Sequence, residues 1–195
     1  MRYLVILFLA AMLCMPANLV EKAQAHPHVF IDSSLVLKFD EQGLAYLDVV
    51  WTFDEMSSDM FLIDLDTNAD GALTTDEWAA QKNDIASYLG ENSFFVHVVV
   101  NKKQIQLSEI TNFVATYEAG ILRYAMRLPL RIADDAGTTA MQVAIFDPSY
   151  YTDFYTALEA VTVSGKKSLE LSIDDAPELA FYQGQVIPTA VTFEF

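Results

Sequence analysis

The chain has 195 residues, with 11 lysines and arginines against 27 aspartates and glutamates, three histidines and a formal charge of −16. So acidic a chain repels nucleic acid and anionic lipid and concentrates cations, and it has no basic stripe for phosphate. Its one cysteine, Cys14, lies in the first apolar run, so the remainder has neither disulfides nor thiolate metal ligands.

Residues 1–25 read as a secretory leader. Arg2 supplies the positive end, and Tyr3 to Met15 is an apolar run of 13 residues, too short for a comfortable membrane span. Ala23-Gln24-Ala25 is a small-residue cleavage site. Cys14 follows Leu13 rather than a small residue, which makes it a poor lipoprotein cysteine. Cleavage after Ala25 leaves His26 first in a mature chain of 170 residues, with 9 basic and 26 acidic groups and a charge of −17. We expect a periplasmic protein, one β-rich domain over 26–195, with no membrane insertion of the mature chain.

Val29 to Phe39 alternates, with Val29, Ile31, Leu35, Leu37 and Phe39 on one parity, and predicts a half-buried strand. Asp40-Glu41-Gln42-Gly43 predicts a turn, and Leu44 to Thr52 a returning strand with Leu47, Val49 and Trp51 inward. The period then changes. Thr52-x-x-Glu55 resembles a capping box, and Phe53, Met56, Met60 and Ile63 follow at helical spacing.

Residues 66–77 carry the most specific pattern in the chain. Asp66, Asn68 and Asp70 put hard oxygens at positions one, three and five of an EF-hand loop. Gly71 permits the sharp turn at position six, Ala72 offers its carbonyl, and Thr74 reaches the ion directly or through water. Glu77 closes the loop as the bidentate ligand. Thr74-x-x-Glu77 is also a capping box that opens a second helix, with Trp78, Ile85 and Leu89 on its apolar side and Gly90 at its end. EF-hands work in pairs, and no second loop is present. A lone hand binds calcium weakly, at about 10⁻⁴ to 10⁻³ M, which suits a structural calcium outside the cytoplasm.

Strands are predicted again at Phe94–Val100, Ile105–Leu107, Asn112–Tyr117, Ile121–Leu130 and Thr139–Phe146, then Val161–Val163, Ser168–Ile173 and Val191–Phe195. The fold class is therefore α+β: mainly an antiparallel β-sandwich with one inserted EF-hand-like helix-loop-helix at about 54–91.

His26-Pro27-His28 is a second constellation. Cleavage would give His26 a free amine beside its imidazole, and neutral imidazole suits zinc, copper, nickel and iron. Pro27 has no amide proton, so a square-planar amino-terminal site is excluded. His97, on a predicted strand face with Phe95 and Val99, is a weak third ligand. Asp147-Pro148-Ser149-Tyr150-Tyr151 ends a strand and leads into Phe154 and Tyr155. Ser149 has no nucleophile-elbow glycines, so no hydrolase is expected.

His26 to Asp32, Trp51 to Met56, the acidic loop and Asp147 to Tyr151 together resemble the bacterial domain-of-unknown-function 1007 family. The likeness covers essentially the whole mature chain. Members are labelled as periplasmic components of ABC-type transport systems and go with nickel, cobalt or zinc permeases. The resemblance implies a metal-related role at His26 and His28 and at Asp66, Asn68, Asp70 and Glu77. Our expectation is a non-enzymatic accessory protein with Ca²⁺ in the loop, and with Ni²⁺, Co²⁺, Zn²⁺ or Cu²⁺ at the amino end, serving an inner-membrane metal permease. Two alternatives are a copper-brace oxidative enzyme built on His26 with His28 or His97, and a calcium-stabilised interaction module using Tyr150 to Tyr155.

Overall fold

The computed structural model describes residues 28–134, 137–166 and 168–195. The expected leader, its cleavage site and His26 lie outside them. Among the described residues eleven strands form two sheets, and two helices lie between the second and third strands.

The opening hairpin follows from alternation. In β1 (Val29–Asp40) the odd residues point inward, and in β2 (Gly43–Phe53) Leu47, Val49, Trp51 and Phe53 do the same. Gly43 turns the chain with φ 128°, where an added Cβ would strike the Ile132 carbonyl. The strands β5 (Thr111–Glu118) and β6 (Ile121–Ala133) extend the sheet on the β2 side. On the other side of β1 lie β8 (Thr152–Tyr155) and β9 (Val161–Ser164), both parallel to it. The sheet is thus mixed rather than wholly antiparallel, and β8 adds a strand within the predicted aromatic segment. Parallel neighbours need long crossovers, so no local turn signal announces them.

The second sheet comprises β3 (Val96–Val100), β4 (Lys103–Ile105), β7 (Ala140–Ile145), β10 (Ser172–Asp175) and β11 (Thr189–Glu194), antiparallel throughout. Val96, Val98, Met141, Val143, Val191 and Phe193 meet the inward residues of the first sheet in one core. The opposite face carries Val99, Ala144 and Ala190, covered by Ala176, Leu179 and Phe181.

Helix α1 (Glu55–Leu65) is capped by Asp54, whose Oδ1 accepts from Ser57 N at 2.7 Å. Thr52 does not cap it, because β2 continues through Phe53 and pairs Thr52 with Asp32 and Arg123. The predicted apolar stripe is not the packed face either. Met56, Met60 and Ile63 are exposed, whereas Ser57, Ser58 and Leu65 are buried. The small serines let the helix approach β6 closely enough for Ser58 Oγ to accept from Leu122 N at 2.9 Å. Helix α2 (Thr75–Glu91) has the predicted capping box at Thr74 and Glu77, and it buries Trp78 and Leu89. It continues one residue past Gly90 to a cap at Asn92. Ser93, Phe94 and Phe95 then turn left-handed, with φ of 52°, 56° and 53°, and bury both phenylalanines before β3 begins. The strand starts two residues later than predicted for that reason.

Candidate metal loop and apolar cavity

The loop between α1 and α2 is built around two buried carboxylates, Asp66 at 8% and Glu77 at 7% exposure. Asp66 accepts from Asp70 N at 3.2 Å and Gly71 N at 2.7 Å. Glu77 Oε1 accepts from Thr67 N at 2.9 Å, Thr67 Oγ1 at 3.1 Å and Asn68 N at 3.3 Å. Its Oε2 accepts from Thr74 N at 3.0 Å and Thr74 Oγ1 at 2.6 Å. The Thr74 hydroxyl and amide, together with Thr67 and Asn68, hold the Glu77 carboxyl down to about 2 against the opposing effect of burial. Ala69 and Gly71 supply the two left-handed residues that curl the loop, at φ 58° and 82°.

The remaining predicted donors, Asn68, Asp70, Ala72 and Thr74, lie between Asp66 and Glu77 in the same stretch of chain. All are oxygen donors, the kind a hard divalent cation takes. Among the described residues, however, no three His, Cys, Asp or Glu side chains are gathered as a metal cluster. The Asp66 and Glu77 carboxylates point at amides, and Asp70 Oδ1 accepts from Ala72 N at 3.0 Å.

His28 is exposed, with its ring 5.1 Å from that of Tyr151 and its amide donating to the Tyr151 carbonyl at 2.8 Å. His97 lies on the other sheet. Its ring stacks on Phe146 at 3.8 Å, Nε2 is 3.3 Å from the Phe146 carbonyl, and Nδ1 is 3.5 Å from Gln104 Nε2. Burial pushes its imidazole below the usual histidine range, with the Phe146 carbonyl opposing. The structure does not place His97 beside His28.

Asp147 is buried and fixes the turn after β7. It accepts from Ser149 N and Oγ at 2.8 and 2.7 Å, Tyr151 N at 3.2 Å and Thr152 N at 3.0 Å. The aromatic segment divides: Phe154 packs on Trp51 at 5.1 Å, while Tyr151 and Tyr155 stay exposed.

Sequence reading missed one feature. A cavity of about 680 Å³ opens between the two helices, the Asp147 turn and one end of the core. Trp51, Phe53, Phe61, Tyr124 and Phe154 give it aromatic walls, and Asp64 and Asp84 stand on its lining. Its residues come from segments far apart in the chain, so no contiguous pattern marks it. The one available signal was the apolar character of α1 on more than one side.

Comparison with known proteins agrees with the family resemblance. Residues 8–177 match the family model described as "Protein of unknown function (DUF1007)". The chain belongs to the DUF1007 family. A relative from Spirochaeta aurantia, described as "Uncharacterized 15.5 kDa protein in trpE 3'region", is 31% identical over 134 residues, covering 66% of this chain and 93% of the relative. The match to the DUF1007 model takes in loop 66–77, both helices and most of both sheets. Among the described residues no helix is long and apolar enough to cross a membrane.

Proposed function

We propose that this DUF1007 member is an exported metal-binding accessory protein whose loop 66–77 takes one calcium ion. The form of the loop supports this reading. Two buried carboxylates stand at its ends, left-handed residues at Ala69 and Gly71 curl it, and every side chain expected to bind is an oxygen donor. Asp66, Asn68, Asp70, Thr74 and Glu77 would hold the ion with the Ala72 carbonyl. The ion competes with amide donors for the same carboxylate oxygens, which keeps the affinity in the weak range of extracellular modules. Calcium there ties the end of α1 to the start of α2. Gln81 Nε2 already donates from α2 to the Leu65 carbonyl at 2.9 Å, so the same two helix ends are joined twice.

The amino end is the second part of the reading. His28 is exposed and lies two residues from the expected new terminus at His26. These two residues would take nickel, cobalt, zinc or copper for exchange with an inner-membrane permease. His97 has no part in it, because its ring is buried against Phe146.

Thermal unfolding with and without calcium tests the loop. Calcium at about ten times its Kd adds about 1.4 kcal/mol and raises Tm by about 3–5 °C. Glu77→Gln and Asp70→Asn should each abolish most of that rise. An equal rise in both variants would move calcium elsewhere. Elemental analysis of the naturally exported chain, beside a His26→Ala, His28→Ala variant, tests the amino end: a metal content that the variant retains would refute it.

A further inference from the structure

The cavity beneath the helices has a definite chemistry. Its volume, about 680 Å³, lies within the range of small-molecule sites. Its depth is walled by aromatic rings from β2, α1, β6 and β8, namely Trp51 and Phe53, Phe61, Tyr124 and Phe154. Such walls offer both apolar area and negative ring faces.

The charged groups on the described lining have one sign. Asp64 and Asp84 are exposed members of it, while Asp147 is engaged by its own turn. Among the described lining residues there is no lysine, arginine or histidine. Outside the lining, Arg127, Arg131 and Lys166 are paired with Asp48, Asp40 and Asp134, and Lys82 is exposed on α2 two positions before Asp84 without being part of the lining. Two exposed tyrosines complete the lining. Tyr88 stands one helical turn beyond Asp84, and Tyr151 belongs to the Asp147 turn.

We propose that this cavity binds a small amphiphilic organic cation, with an apolar or aromatic body among the inner rings and an ammonium head at Asp64, Asp84, Tyr88 and Tyr151. A carboxylate in the body of such a ligand would meet only like charge, which excludes anionic amphiphiles. A neutral apolar molecule would fill the walls but leave the acidic lining without a partner. A hydrophilic cation would gain the charge and forfeit the walls. The site therefore selects for the two properties together. It involves no residue of loop 66–77, so it stands whether or not that loop holds calcium.

The test is calorimetric titration of the full mature protein with decyltrimethylammonium below its micellar concentration, at about 0.15 M salt to screen diffuse attraction. Decanol, decyl sulfate and tetramethylammonium serve as controls. We expect one bound cation per chain, held about tenfold more tightly than decanol, with no heat from the other two. Asp64→Asn with Asp84→Asn, both at exposed helix positions, should weaken the cation about three- to tenfold and leave decanol unchanged. Ile85→Trp, which fills the cavity from α2, should abolish binding of both. The same results are expected with calcium chelated, so failure of the calcium reading would leave them in place. Equal affinity for cation and decanol would overturn the proposal, as would unchanged cation binding in the aspartate pair. Undiminished binding in a folded Ile85→Trp protein would place the ligand elsewhere and overturn it too.

Discussion

Two neighbouring serines on α1 should respond to the same substitution with opposite signs. Ser57 and Ser58 are both 0% exposed. Ser58 Oγ accepts from Leu122 N at 2.9 Å and donates to the Phe53 carbonyl at 3.4 Å. It substitutes for the strand partner that Leu122 loses, because the pairing of β2 with β6 runs only as far as Thr52 with Arg123. Leu122 is itself wholly buried, so Ser58→Ala leaves a dry amide unpaired. That costs about 1–3 kcal/mol, offset by a few tenths from alanine's helix preference. The net loss is about 1–2 kcal/mol. Ser57 Oγ is buried with no partner among the described residues. Ser57→Ala therefore removes a desolvated hydroxyl, worth about 1 kcal/mol, and adds the same helix preference. It should stabilise by about 0.5–1.5 kcal/mol. Urea unfolding at an m-value of about 2 kcal/mol/M would separate the two midpoints by about 1 M or more. Equal shifts of the same sign would refute the argument, because they would mean that Ser58 does not complete the ladder at Leu122.

Asp147→Asn turns an amide N–H₂ towards the donors of Ser149, Tyr151 and Thr152. It should cost about 2 kcal/mol and lower Tm by about 4–8 °C; an unchanged Tm would mean that β8 pairing holds the turn without the carboxylate. His97 has its folded-state pKa lowered by burial, so the unfolded chain takes up that proton first. Its contribution is intact above the ordinary histidine value of about 6.5 and is lost as pH falls below it. The urea midpoint should drop between neutral pH and mildly acid pH, and His97→Gln should flatten that drop; an identical profile in the variant would assign the dependence to other groups.

Much of the architecture is written in residues that are close along the chain. Alternation in Val29–Phe39 and Leu44–Thr52 yields the hairpin, and the Thr74–Glu77 spacing yields the cap that opens α2. The turn between Asp66 and Glu77 is legible for the same reason: the left-handed Gly71 and the Thr74–Glu77 cap lie close along the chain. Boundaries shifted where tertiary contacts outweighed local preference. Thr52 stayed in β2 because Asp32 and Arg123 pair with it, and Phe94 and Phe95 left the strand pattern to bury their rings in a left-handed turn.

Other features depend on which distant segments meet. Val29–Asp32 pairs with Thr152–Tyr155, and Leu35–Lys38 pairs with Val161–Ser164, across more than 120 residues of chain. Helix α1 is apolar on more than one side, so its sequence cannot choose between Met56, Met60 and Ile63 and the face built on Ser57 and Ser58. The choice follows from the close approach to Leu122, which only small side chains allow. His97 shares a strand with core valines but faces outward beneath Phe181's cluster, because strand parity is blind to which side a later segment covers. The cavity arises in the same way. Local patterns record how a segment can fold, whereas a cavity is the space left between segments whose contacts are set by the packing of the whole chain.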